Sequence, residues 1–218
     1  MIKLVAFDLD GTLANTLADL ATAVNYALQQ HGLPAYPVED YRYFVGNGVD
    51  NLMSAVLKEH DTPQLREQMK AEFSAYYANH SLDHTTGYPG MGELLRELDQ
   101  SGVMTAVISN KPHAFVPAIL KKLYPRHSFT LAWGQQPDLP RKPAPDALLR
   151  VLESCGAERE ETLYVGDSNV DVAFAHNAGV KVCGVSWGFR GAEELHNAGA
   201  DIVVDTAEEL REVINEQA

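Results

Sequence analysis

Two aspartates, Asp8 and Asp10, stand one residue apart after the first apolar run of the chain, in Asp8-Leu9-Asp10-Gly11-Thr12-Leu13. Alternation along an extended chain turns both carboxylates to one side and Leu9 to the other. Like charges this close repel, so either one is protonated or a cation lies between them. The pairing suits phosphoryl transfer. One carboxylate attacks phosphorus, a divalent metal neutralises both, and the other handles the leaving-group proton. Taken alone, the pair fits a helix N-cap followed by a glycine turn equally well.

Three later segments offer partners. Ser109-Asn110-Lys111-Pro112 closes an apolar run. Pro112 predicts a helix start, which puts Ser109 and Asn110 at an N-terminus where the hydroxyl and free N–H groups would hold phosphoryl oxygens. An ordinary helix cap would use the same residues. Lys142 precedes Pro143-Ala144-Pro145, a stiff segment that could aim its ammonium at Asp8, although most lysines are solvated surface residues. Asp167 follows the run Thr162–Val165 with Gly166 as the turn, and is a hard oxygen donor suited to magnesium. Asp171, one helical turn on, could orient Asp167 or a metal-bound water. A first-turn acid favoured by the helix dipole is the alternative.

The elements that must position these residues read as an α/β chain. Short β-branched runs at Leu4–Leu9, Val103–Ser109, Phe129–Trp133, Thr162–Val165, Val182–Val185 and Ile202–Val204 predict strands of a parallel sheet covered on both faces. Helical periods separate them at Gly90–Ser101, His113–Leu123, Asp146–Cys155, Val170–Ala178 and Ala207–Asn215. Between Leu17 and Ser81 the pattern is helical alone. Leu17–His31 carries Leu20, Val24, Ala27 and Leu28 on one stripe, Gly46-Asn47-Gly48 marks a turn, and Gln64–Asn79 presents Phe73, Tyr76 and Tyr77. The expected organisation is a Rossmann-like core of residues 1–15 and 84–218 with a small helical cap of residues 16–83 after the first strand. Hinges are expected near Ala14–Thr16 and Leu82–Tyr88.

Composition narrows the partners. The 218 residues are 45% hydrophobic and carry a formal charge of −13, with no Lys/Arg-rich run, which argues against nucleic-acid and anionic-membrane surfaces. An anionic substrate must therefore be met by a local metal, a few cations and backbone N–H groups. Cys155 and Cys183 are too few for a disulfide framework or a zinc site, and the eight histidines show no metal-ligand spacing. Residues 1–10 suit neither a signal peptide nor a membrane span, so a cytoplasmic monomer or homodimer is expected.

With all four segments in register, the chain resembles the haloacid dehalogenase superfamily. The resemblance implies that Asp8 forms an aspartyl-phosphate and Asp10 acts as general acid and then base. It also implies that Lys142 neutralises charge, that Thr12, Ser109 and Asn110 contact substrate, and that Asp8, Asp10 and Asp167 hold Mg2+. Asp10 sets the chain apart from the dehalogenases and from the phosphonate-cleaving branch, which usually lacks an acid there. The position of the helical insert resembles the phosphoglycolate phosphatase subfamily. So do Tyr88-Pro89-Gly90, Val45-Gly46-Asn47-Gly48 and Val185-Ser186-Trp187-Gly188. Asn15 and Thr16 stand where relatives usually carry Asp and Ser, which bears on cap closure or substrate choice rather than on chemistry.

The expected activity is magnesium-dependent hydrolysis of a small phosphomonoester resembling 2-phosphoglycolate, with Gly46, Asn47 and Gly48 of the cap facing the substrate. Arg42 is a candidate for contacting a substrate carboxylate, with a solvated helix residue as the alternative, and His113 could lie near the site because it follows Pro112. An inorganic pyrophosphatase, a broad sugar-phosphate phosphatase, a phosphomutase and a non-catalytic phosphate-binding protein are the alternatives.

Overall fold

The computed structural model describes residues 1–216. Six strands form one parallel sheet: β1 (Leu4–Phe7), β4 (Met104–Pro112), β5 (Leu131–Gln135), β6 (Thr162–Gly166), β7 (Lys181–Val185) and β8 (Ile202–Val204). Their order across the sheet is β5-β4-β1-β6-β7-β8. After β1 the chain builds outward on one side through β4 and β5, then returns to lay β6 against β1 on the other. A crevice therefore opens where the order reverses, at the carboxyl ends of β1 and β6, the place where open α/β sheets bind ligands. Pairing of Phe7 with Val165 brings Asp8 and Asp167 to the two rims of that crevice.

Both faces of the sheet are covered, as its apolar strands require. Val5, Phe7 and Val107 pack beneath α5 (Met91–Ser101), α6 (Val116–Leu123) and α10 (Ala207–Glu216). Leu4, Ala6, Ile108 and Tyr164 pack against α7 (Asp146–Cys155), α8 (Asn169–Ala178) and α9 (Gly191–Ala198). The sequence pattern missed α9 because this eight-residue helix buries a single side chain, Leu195, and so shows no stripe.

A helical insert follows β1, made of α1 (Leu17–Gln30), α2 (Tyr41–Phe44), α3 (Val49–Leu57) and α4 (Pro63–His80). It has an apolar cluster of its own in which Leu20, Val24, Ala27 and Leu28 meet Met53, Phe73 and Tyr77. Its two crossings pair with each other. β2 (Ala14–Asn15) and β3 (Thr86–Gly87) make a short antiparallel ribbon, too brief to show in any pattern. Buried Asp19 of α1 fastens the second crossing by accepting hydrogen bonds from the His84 and Thr85 amides and the Thr85 hydroxyl. No helix among the described residues is long and apolar enough to cross a membrane.

One local expectation is corrected. Pro112 does not open a helix: β4 continues through it, with an irregular register between Ile108 and Pro112, before a 3-10 turn at His113–Phe115. Ser109, Asn110 and Lys111 therefore lie in the strand end and not at a helix N-terminus. Irregularities of this kind re-aim side chains beside ligand sites. Here all three are buried.

Candidate active site

Asp8 projects from the end of β1, 7% exposed, with its amide bonded to Val165 O. Lys142 Nζ stands 2.9 Å from Asp8 Oδ1 and 2.7 Å from Asp171 Oδ1. Lys142 is the partner of Asp8 Oδ1, and no other donor reaches that buried oxygen. Lys142 also donates to the Tyr164 hydroxyl, which itself donates to Asp171 Oδ1. Asp171 Oδ2 accepts from the Ser168 hydroxyl and amide. Asp171 is thus both a helix-start acid and the second holder of Lys142; it makes no bond to Asp167.

Asp167 is buried across the crevice, where the Phe189 amide donates to its Oδ2 at 2.7 Å. Backbone approaches it from two sides. A Cβ on Gly11, whose φ is +89°, would fall 2.2 Å from Asp167 Oδ2, and one on Gly188 would fall 2.2 Å from Asp167 Cβ. Oxygens of Asp8, Asp167 and Asp171 all lie within 4.8 Å of one another. Three carboxylates here share one ammonium, which leaves two negative charges uncompensated. Burial, opposed by Lys142 and reinforced by Asp171 and Asp10, pushes Asp8 up to about 7. Burial, then Asp171 and Asp8, also raises Asp167 well above the usual carboxylate range. Hard oxygen donors with two unpaired charges fit a divalent cation such as Mg2+.

Asp10 faces elsewhere. Its Oδ1 accepts from the Thr16 hydroxyl at 2.6 Å and from Lys111 Nζ at 3.0 Å, and Oδ2 lies 3.3 Å from the same ammonium. Of the expected metal set, Asp8 and Asp167 share the acidic cluster, and Asp171 stands there in place of the Asp10 carboxylate. The reason is Lys111, whose buried ammonium gives Asp10 a neutralising partner of its own. Burial opposes that ammonium, but Asp10 lifts its pKa above the ordinary lysine value. Lys111 Nζ also lies 4.7 Å from the ring centroid of Tyr77, on α4 of the insert.

Between core and insert lies a small cavity of about 40 Å³, measured as space open to the centre of a water molecule. Asp8, Asp10, Ser109, Asn110 and Lys111 form its floor, and Leu20, Val45, Gly46, Gly48, Leu52, Phe73 and Tyr77 form its roof. The Ser109 hydroxyl accepts from the Lys111 amide. Asn110 Nδ2 donates to Gly46 O of the insert and to Lys142 O, while its Oδ1 accepts from the Lys142 amide. Its side chain is therefore committed to joining the insert to the lysine loop. Arg190 donates to Val45 O, and Arg141 pairs with Asp50 at 2.5 Å. Phe115 and Phe189 pack into the insert's cluster. Thr12 is fully buried with a partnerless hydroxyl and does not line the cavity. Nor does Asn47, whose carbonyl accepts from Asn51. Arg42 pairs with Glu39 on the exposed face of the insert, and His113 accepts from the Gly134 amide. Neither reaches the cavity.

Sequence reasoning passed over Lys111, Tyr77 and the Phe189 amide. A period of two counted on from Ser109 would have marked Lys111; the other two depend on how the insert and the loop after β7 fold back.

The model of the haloacid dehalogenase-like hydrolase family matches residues 5–185. A phosphoglycolate phosphatase of Vibrio parahaemolyticus is 38% identical over 221 residues, covering 98% of this chain and 96% of that one. One from Vibrio cholerae is 38% identical over 221 residues, covering 98% and 97%. A solved structure from Lactobacillus delbrueckii subsp. bulgaricus, provisionally named a phosphoglycolate phosphatase, superposes with a TM-score of 0.91 at 35% identity, covering 97% of this chain and 98% of that one.

Proposed function

We propose that this chain, which belongs to the haloacid dehalogenase-like hydrolase family, hydrolyses 2-phosphoglycolate or a closely similar small ester through a phosphoryl-aspartate on Asp8. It is a phosphoric monoester hydrolase; the substrate, the intermediate and the Mg2+ requirement are our reading. The observation that carries this reading is the buried Asp8 carboxylate at the sheet's reversal point, with Lys142 2.9 Å away and Asp167 across from it.

Asp8 and Asp167 would hold Mg2+, which when bound would supply positive charge to the phosphoryl oxygens and to Asp8. Asp8 attacks phosphorus through its carboxylate. Lys142 stabilises the charge gathering on the phosphoryl group, and Asp171 and Tyr164 keep its ammonium in position. Asp10 gives a proton to the leaving oxygen, then takes one from the water that opens the acyl-phosphate. We read residues 16–83 as a cap that excludes bulk water from these charges.

Phosphate release from a panel of small esters and pyrophosphate, with Mg2+ or a chelator, in wild type and Asp8→Asn, tests the reading. Release that needs both Asp8 and metal, with 2-phosphoglycolate far ahead, is expected. Equal release by Asp8→Asn would overturn it.

A further inference from the structure

Lys111 has no role in the chemistry assigned above, yet its side chain is 2% exposed at the floor of the cavity. Among the described residues that line the cavity it is the only cation. The roof opposite is apolar except at Tyr77, whose buried hydroxyl finds no acceptor and whose ring lies 4.7 Å from the Lys111 ammonium. A buried donor left unpaired in a cavity is costly unless something entering the cavity meets it. Asp10 occupies the ammonium at 3.0 and 3.3 Å, and Asp10 is also the residue that must face the leaving oxygen of an ester attached at Asp8.

We infer that Lys111 and Tyr77 form the receiving site for a second anionic group, a carboxylate borne on the leaving group of the phosphomonoester. On entry this carboxylate takes the Lys111 ammonium from Asp10 and accepts from the Tyr77 hydroxyl. In 2-phosphoglycolate only an oxygen and a methylene separate the carboxylate from phosphorus. The group that replaces Asp10 on Lys111 thus belongs to the same small molecule that Asp8 attacks. The selected class is a short phosphomonoester with an adjacent carboxylate, and a neutral ester of equal size leaves the ammonium without its exchange partner. Sites built around a buried charged group discriminate strongly against ligands that cannot meet it. The inference rests on the phosphatase reading above.

The test compares 2-phosphoglycolate with its neutral isostere, 2-phosphoglycolamide, by kcat/KM with Mg2+. Wild type is expected to prefer the acid by about 100-fold or more. Lys111→Met should collapse that ratio to within about fivefold of unity, Lys111→Arg should keep most of it, and Tyr77→Phe should lower it about three- to tenfold. The ratio is the readout because slowing common to both esters cancels. Tyr77→Phe removes one oxygen atom and keeps the test alive if Lys111→Met does not fold. An undiminished ratio in the variants, both esters slowing alike, would overturn the inference and leave Lys111 as a support for Asp10. A wild type that releases phosphate from both esters equally, in an Asp8-dependent way, would overturn it while the phosphatase reading stands. No Asp8-dependent release from any ester of the panel would overturn both.

Discussion

The Asn110 side chain touches the lysine loop twice and the helical insert once: Nδ2 reaches Lys142 O at 3.2 Å and Gly46 O at 3.0 Å, and Oδ1 accepts from the Lys142 amide at 2.9 Å. One amide thus registers both the lysine that faces Asp8 and the seating of the roof.

Asn110→Ala removes all three bonds. Loss of about 1 kcal/mol per bond is expected in stability. kcat/KM should fall about 10- to 100-fold as Lys142 loses its register. Faster amide exchange at Gly46 and Val49 than in wild type would report the loosened insert. Unchanged exchange together with unchanged kcat/KM would contradict the joining role.

Lys142→Met leaves Asp8 and Asp171 without their ammonium. Removing one partner of a buried ion pair costs about 3–5 kcal/mol, and turnover should fall by at least about 10³-fold. Thermal melting with and without Mg2+ checks the first figure and phosphate release the second. Saturating Mg2+ should restore part of the stability and little of the activity.

Asp8→Asn is expected to abolish turnover, since an amide cannot form the acyl-phosphate, while raising the melting temperature of the metal-free protein by relieving repulsion among three buried acids. The two changes have opposite signs and come from one substitution. A large drop in melting temperature would show that Asp8 is a structural ion-pair partner first.

The pH dependence of stability follows from Asp8. Its pKa rises from 3.8 unfolded to about 7 folded, so between those values the folded state binds more protons. Stability of the metal-free protein therefore falls as pH rises through this window, by on the order of 4 kcal/mol from Asp8 alone. Mg2+ binding must displace those protons, so its stabilising effect should grow from pH 5 to pH 8. Melts at both pH values, in chelator and in Mg2+, measure the crossing. A chelated protein that gains stability over the window would refute the protonation scheme.

Exhaustive chelation should remove activity, and Ca2+ should inhibit, because it favours higher coordination at a longer bond length than Mg2+. Activity that survives chelation would exclude the role given to Asp167.

Much of this molecule was legible in the sequence where geometry follows from period. The strand ends bearing Asp8, Ser109 and Asp167 were predicted within a few residues because buried parallel strands are nearly uniformly apolar. The helical insert declared itself by Leu20, Val24 and Leu28. What escaped depends on contacts distant in sequence. Pro112 reads as a helix start by local preference, but pairing with Gln135 keeps it in the sheet. The Asp10 carboxylate reads as a metal ligand by its spacing from Asp8, yet Lys111 and Thr16 claim it. No local rule announces that the loop after β7 turns the Phe189 amide back to Asp167 while its ring enters the insert.

Two of the polar contacts that seat the insert, Asn110 on Gly46 O and Arg190 on Val45 O, are made to main-chain carbonyls. Every residue type presents the same carbonyl, so these contacts do not depend on which side chains the roof carries. Substitutions that leave the insert's own apolar cluster intact can therefore alter the roof while these two contacts survive. A scaffold arranged in this way separates what the roof presents to the crevice from the contacts that hold it there.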